Sequence, residues 1–117
     1  MSQGISPQLE EKIKQYQNIQ QKMGVVQQQI QQLKIDQIEI EKALKEIDEM
    51  PDDEICYRSI GRLMVKSSIK ETKAKLADQK ELSETRIKLS EKSYEKLKTQ
   101  FEDLEENIKA ALNTTSK

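Results

Sequence analysis

An apolar heptad repeat dominates the first half of the chain. From Leu9 to Ile47, positions spaced alternately by three and four residues are apolar in ten cases out of twelve. Coiled coils are recognised from about three or four such heptads, and this repeat runs for more than five. It therefore predicts a long helix that buries one narrow stripe of side chains against a partner helix. The twelve positions are Leu9, Lys12, Tyr16, Ile19, Met23, Val26, Ile30, Leu33, Gln37, Ile40, Leu44 and Ile47.

The first helix is predicted to span residues 6–50. Ser6 followed by Pro7 is typical of a helix start, because serine caps the free N–H groups and proline fits the first helical position. At the other end, Pro51 disfavours helical geometry at Met50. We therefore expect the chain to leave the helix just before Pro51.

A second apolar repeat occupies the other half of the chain. Nine of its thirteen positions between Ile69 and Ala111 are apolar. Ser68 and Glu71 have the spacing of a capping box, and Asn113 is a suitable stop, so the second helix is predicted over residues 68–113. Two helices of nearly equal length bury both apolar stripes along their whole length only when they fold back on each other. The predicted fold is mostly α: a long antiparallel two-helix coiled coil.

Residues 54–67, between the two helices, are rich in strand formers. Gly61 and Arg62 fit a two-residue type II′ turn, which requires glycine at its first central position. This turn pairs Ile60 with Leu63 and gives a β-hairpin with apolar side chains on both faces. A lone two-stranded hairpin is marginal in water, so we expect it to join an intersubunit β-barrel with strands of other chains.

Two sets of residues are predicted to carry function. The assembly residues are the hairpin positions through which we expect oligomerisation: Ile55, Cys56, Tyr57, Ile60, Gly61, Leu63, Met64 and Val65. The tip residues lie near the chain ends, where a two-helix arm cannot fully cover apolar side chains: Ile5, Leu9, Ile13, Tyr16, Leu104, Ile108 and Leu112. Ordinary packing within the apolar stripe is the alternative account of the tip residues.

The composition excludes several classes of protein. The 20 basic and 21 acidic residues are interspersed, so no basic stripe is available for nucleic acid. The chain has no histidine, a single cysteine and three glycines, which excludes a Cys/His zinc site, a Cys–His nucleophile and a glycine-rich phosphate loop. No apolar run could span a membrane, and the first residues lack a signal-peptide pattern. We predict a cytoplasmic protein that is not an enzyme, holds no cofactor or metal, and binds neither nucleic acid nor membrane.

Two non-enzymatic alternatives remain to be compared. A helical arm that binds RNA would need a basic face and an attached catalytic domain, and the sequence contains neither. A structural or tethering coiled-coil scaffold needs heptads but no strand hairpin that is apolar on both faces. Residues 54–67 therefore favour a protein that assembles through its centre, with the scaffold as the alternative function.

The segment ALKEIDEMPDDEICYRSIGRLMVKSSIKETKAKL resembles the prefoldin β subunit family. One hairpin between the helices, not two, is typical of the β chain rather than the α chain. The resemblance covers the architecture of residues 1–117 as a single prefoldin-like domain, and its specific part is carried by Ala43, Leu44, Glu46, Ile47, Pro51, Asp52, Asp53, Tyr57, Gly61, Leu63, Val65 and Lys66.

That resemblance implies a function and a set of partners. The family forms a hexamer of two α and four β chains, in which the hairpins build a double β-barrel and the coiled-coil arms project from it. Its members act as ATP-independent chaperones, or holdases. The arm tips hold unfolded or nascent polypeptides and transfer them to a group II chaperonin.

Overall fold

The computed structural model describes residues 5–115. Its elements are, in order, α1 (Pro7–Ile47), β1 (Ile55–Ile60), β2 (Leu63–Ser68) and α2 (Ile69–Thr115). This order confirms the predicted fold class, two long helices with one antiparallel β-hairpin between them. The extreme ends of the predicted 1–117 domain lie outside the described residues.

The chain divides into two compact units, and the helices contribute to both. The terminal unit comprises Met1–Ile30 with Leu89–Lys117, and the hairpin unit comprises Gln31–Lys88. Over the residues described, neither helix contains a stretch that is long and apolar enough to cross a membrane.

The start of α1 is capped as its sequence predicts. The backbone N–H of Leu9 donates a hydrogen bond of 3.1 Å to the Ser6 hydroxyl, and the N–H of Glu10 donates one of 3.0 Å to the Ser6 carbonyl. Pro7 occupies the first helical position, where its missing N–H costs nothing. The Ser6 side chain therefore satisfies one N–H group that has no partner within the helix, and the Ser6 carbonyl accepts the first regular helical bond.

The end of α1 lies earlier than predicted, at Ile47 rather than Met50. The N–H of Met50 donates to the carbonyl of Ile47 at 3.0 Å, so the chain leaves the helix through a tight turn. Pro51 pushes the residue before it out of helical geometry, and the turn that accommodates this change begins further back along the chain.

A lysine of α2 holds this end of α1. The Lys73 ammonium lies 3.4 Å from the carbonyl oxygens of Asp48 and Met50 and 3.2 Å from the Asp52 carboxylate. Carbonyls at a helix end have no partner within the helix and carry the negative end of its dipole, so a cation there is favourable. Lys73 occupies a polar position of the second heptad repeat and serves as a cap.

The hairpin has the register that its turn residues predict. β1 pairs with β2 from Ile55 opposite Ser68 to Ile60 opposite Leu63. Gly61 has φ of +57°, and no residue other than glycine in the described part has positive φ. A positive φ at the first central position alone is the geometry of a type II′ turn, whereas a type I′ turn needs it at both.

Ser68 ends β2 and caps α2, one residue beyond the predicted end of the hairpin. Its hydroxyl accepts a hydrogen bond of 3.2 Å from the N–H of Glu71, as the capping-box spacing predicts. The Glu71 carboxylate accepts a hydrogen bond from the neighbouring Ser67 hydroxyl at 3.3 Å. At its other end, α2 continues to Thr115, past the predicted stop at Asn113, because these polar residues include no glycine or proline to break the helix.

Few side chains are fully buried, since a pair of helices covers one side of each. In the hairpin unit the buried residues include Ile69, Ile87 and Ser83; in the terminal unit Leu9 is buried. The Ser83 hydroxyl makes no hydrogen bond, so it contributes a small side chain to the packing at the expense of an unsatisfied polar group. Most other positions of the two apolar repeats are half-buried.

Candidate functional site

The hairpin exposes large apolar side chains on both faces. Their exposed fractions range from 39% for Val65 to 69% for Leu63. Ile55, Tyr57 and Met64 lie on one face, and Ile60, Leu63 and Val65 lie on the other. Isolated surface hydrophobic residues are normal, but six within one hairpin form a patch typical of a surface that a partner covers.

The edges of the hairpin are as open as its faces. The sheet consists of β1 and β2 in the described part of the chain, so the outer edge of each strand has no neighbouring strand. Backbone N–H and C=O groups along such an edge can pair with a strand of another chain. The hairpin thus offers both the apolar surface and the backbone groups from which a larger sheet is built.

Two of the assembly residues have a role within their own chain. The Cys56 thiol is half-buried and lies 3.1 Å from the Thr72 hydroxyl of α2, and Gly61 forms the turn. The sequence pattern places Cys56 on a strand but does not indicate its contact with Thr72. The remaining six assembly residues are the exposed ones.

The tip residues lie in the terminal unit and are covered to different extents. Ile5 and Leu112 are 40% and 45% exposed, whereas Leu9 is only 4% exposed. Packing within the apolar stripe therefore accounts for Leu9. The half-buried members are Ile13, Tyr16, Leu104 and Ile108.

An aromatic pair joins the two helices in the terminal unit. The rings of Tyr16 and Phe101 are stacked, with centroids 4.4 Å apart and planes inclined by 23°. The Tyr16 hydroxyl donates a hydrogen bond of 3.2 Å to the Glu105 carboxylate, which also lies 3.7 Å from the Lys109 ammonium. Partial burial raises the pKa of Tyr16, and the hydrogen bond to Glu105 and the charge of that carboxylate raise it further.

Phe101 and Glu105 were missing from the predicted site. Phe101 is the single phenylalanine of the chain and stands in the second apolar repeat, which is the signal that could have identified it. Its partner depends on the register of the antiparallel helices, and neither repeat alone sets that register.

Two shallow grooves run along the helix pair in the terminal unit. One has a volume of about 480 Å³ and the other about 410 Å³. Ile19 and Leu104 line the first, with amide side chains along its walls: Gln15, Asn18, Gln100 and Asn107. Ile13, Tyr16 and Ile108 line the second, again beside amides, Gln17 and Gln20. Both grooves therefore combine apolar side chains with groups that donate and accept hydrogen bonds. Each also includes one cation and one carboxylate, Lys22 and Asp103 in the first and Lys109 and Glu105 in the second.

Comparison with known proteins agrees with this architecture. The family model described as prefoldin subunit matches residues 10–115. Among curated relatives, the chain is 34% identical to the prefoldin subunit beta of Methanosarcina acetivorans over 112 residues, covering 96% of each chain. It is also 34% identical to the prefoldin subunit beta of Thermococcus kodakarensis over 110 residues, covering 94% of each.

A solved structure shows the same likeness. The crystal structure of the prefoldin beta subunit from Thermococcus strain KS-1 superposes with a TM-score of 0.82 at 33% identity, covering 95% of this chain and 97% of that one. Sequence and fold thus agree over nearly the whole length. The chain belongs to the prefoldin subunit family, a family of chaperone subunits.

Proposed function

We propose that this chain assembles through its hairpin into a hetero-oligomer whose helix ends hold unfolded proteins without ATP. The observation that carries the proposal is the hairpin itself, with six exposed apolar side chains on two faces and two open edges. A two-stranded hairpin is marginal in water, so pairing with strands of other chains would stabilise it.

The partners follow from the family and from the shape of the hairpin. We assign the chain to a cytoplasmic hexamer of two α and four β subunits, in which it is a β subunit. The resemblance to β subunits along nearly the whole chain supports this assignment. Transfer of the held polypeptide to a group II chaperonin is the corresponding last step.

Client binding is assigned to the tip residues and the two grooves beside them. Ile5 and Leu112 offer exposed apolar surface, and each groove is lined by apolar side chains together with glutamine or asparagine. Amide side chains can bond to the backbone of an extended client whatever its sequence. Several weak sites of this kind, presented by the subunits of one assembly, bind an unfolded chain by multivalency.

The test compares two pairs of exposed apolar residues. Ile5→Ser with Leu112→Ser changes tip residues, and Leu82→Ser with Leu89→Ser changes residues of α2 that are also exposed but are not tip residues. The four positions are at least 40% exposed, so neither pair should unfold the chain. Each variant is assembled with the α partner, and its mass and its suppression of light scattering by heated citrate synthase are measured.

We expect the tip variant to keep the assembly mass and to lose most of the suppression, and the control pair to keep both. Equal activity of the two variants would show that clients bind elsewhere. A wild-type assembly of the expected mass that suppresses no aggregation would instead favour the coiled-coil scaffold.

A further inference from the structure

A groove between the hairpin and α2 is lined by positive charge. Its volume is about 400 Å³. It is lined by Arg58, Ser59 and Ile60 of β1 and by Thr72, Lys75, Leu76 and Gln79 of α2. Among the described residues that line it there is no carboxylate. We call it the basic groove, defined by these seven residues.

The cations of the basic groove have no partner in their own chain. Arg58 is half-buried, yet within residues 5–115 it forms neither an ion pair nor a hydrogen bond through its guanidinium group. Lys75, exposed at the same groove, likewise has no acidic partner among those residues. Arg58 is partly withdrawn from water without a counter-charge, which is unfavourable, so an anionic group entering the groove would be stabilised beside it.

The chain itself contains a matching acidic segment. The connector of residues 48–54 carries five carboxylates and no basic residue, whereas the hairpin of residues 55–68 carries three basic residues and no carboxylate. Asp52 is paired with Lys73. The other carboxylates of the connector are exposed and have no ion-pair partner in the described part of the chain: Asp48, Glu49, Asp53 and Glu54.

We propose that the basic groove receives the acidic connector of a second copy of this chain. The inference rests on the proposed assembly through the hairpin. The connector leads directly into β1, so pairing of hairpins brings a neighbour's connector within about one strand length, roughly 20 Å, of the groove. Each copy carries both halves of the contact, so the contact can form wherever two copies of this chain are neighbours.

The contact would supply a preference for one register of the paired strands, which the apolar surfaces lack. Burial of the six exposed hairpin side chains drives association, but because both faces are apolar, strands shifted by one residue would still bury apolar side chains. Opposite charges at the groove and the connector favour one register and oppose those that bring like charges together. The basic groove is thus assigned to the choice of neighbour and register, and the apolar faces to affinity.

Charge reversal tests the proposal. The groove variant is Arg58→Glu with Lys75→Glu, and the connector variant is Asp53→Lys with Glu54→Lys, which leaves the Asp52 pair with Lys73 intact. Lys88→Glu with Lys96→Glu on α2 is the matched control, because it makes the same change of net charge as the groove variant at exposed positions away from the hairpin. Self-association of each purified full-length chain is measured by sedimentation over a range of concentrations.

We expect each reversal to weaken self-association roughly tenfold or more at about 50 mM salt, and the difference to shrink at about 500 mM salt because the charges are then screened. An equimolar mixture of the groove and connector variants should associate within about threefold of wild type, since opposite charges meet again. The control should match wild type at both salt concentrations.

Three outcomes would overturn the proposal. They are a wild-type chain that stays monomeric at every concentration, reversals that behave like the control, and a mixture that is no better than either variant alone. A Leu63→Ser, Met64→Ser variant separates this inference from the assembly on which it rests. If that variant dissociates while the reversals have no effect, only the basic groove is wrong; if it associates like wild type, the hairpin is not the assembly element.

Discussion

Tyr16 shows how one residue joins the two helices of the terminal unit. Its ring stacks on Phe101, while its hydroxyl reaches the Glu105 carboxylate at 3.2 Å. Tyrosine suits a half-buried position in a two-helix pair because its apolar body packs and its polar end finds a partner at the rim. Its protonated form is favoured there, since partial burial disfavours the ionised hydroxyl and the Glu105 carboxylate would repel it.

This preference predicts how stability depends on pH. The folded-state pKa of Tyr16 lies above the ordinary value of 10.0, so the stabilisation from its hydroxyl is fully present below about pH 10 and is lost as pH rises through the folded-state pKa. We expect Tyr16→Phe to lower the urea midpoint of unfolding at pH 8. The difference from wild type should shrink above pH 10.

Tyr94→Phe is the control for the loss of a hydroxyl, because Tyr94 is also half-buried and its hydroxyl makes no hydrogen bond within the described residues. A difference between wild type and Tyr16→Phe that stayed constant up to pH 11 would contradict the role given to the hydrogen bond with Glu105.

Lys73 and Ser83 show that polar residues in an apolar repeat have separate roles. Lys73 reaches two carbonyls of the turn that follows α1 and the Asp52 carboxylate, whereas Ser83 is buried with an unsatisfied hydroxyl. In the sequence both are simply interruptions of the heptad pattern. Their roles depend on what the other helix places opposite them.

Among the elements, the hairpin turn and α1 each contain a glycine, and the two glycines are not equivalent. Gly61 has φ of +57°, a conformation that side-chain-bearing residues rarely adopt, whereas Gly24 lies inside a helix. A Cβ added at either position would meet no atom within 4 Å. The consequence of adding one is therefore set by the backbone conformation.

The two glycines make a matched pair of substitutions. Gly61→Ala should destabilise the protein by about 1 kcal/mol or more, because alanine is strained at this φ. Gly24→Ala should stabilise it by about 1 kcal/mol, because alanine loses less backbone entropy in a helix. Urea unfolding at one fixed protein concentration measures both, and a change of the same sign for the two variants would contradict this account.

At the scale of the whole molecule, few of the described apolar side chains of the helices are fully buried, and none of the apolar side chains of the hairpin is. Apolar side chains that are exposed on both hairpin faces can be withdrawn from water only by other chains. Folding and association should therefore be coupled, as they are in obligate oligomers.

That coupling predicts that the thermal midpoint depends on protein concentration. We expect the midpoint of the wild-type chain to rise by several degrees over a hundredfold increase in concentration, because mass action favours the associated, folded form. The Leu63→Ser, Met64→Ser variant should have a lower midpoint with little dependence on concentration. A concentration-independent wild-type midpoint would show that the chain folds alone.

The elements and the turn were determined by the sequence, since their signals are local. Heptad spacing indicates the two helices, Ser6 and Ser68 mark their starts, and Gly61 identifies the turn and hence the strand register. Each of these depends on residues within a few positions of one another. The end of α1 lies three residues before the predicted one, because the turn leading to Pro51 begins at Ile47.

The tertiary structure decided which predicted residues are accessible and which unpredicted ones meet. Leu9 and Leu112 are both predicted tip residues, yet one is buried and the other exposed. The Tyr16–Phe101 stack and the basic groove join residues that are far apart in the chain. A repeat specifies which side of a helix faces a partner, but the register between two helices, and the side of the hairpin that faces α2, arise only when the elements pack together.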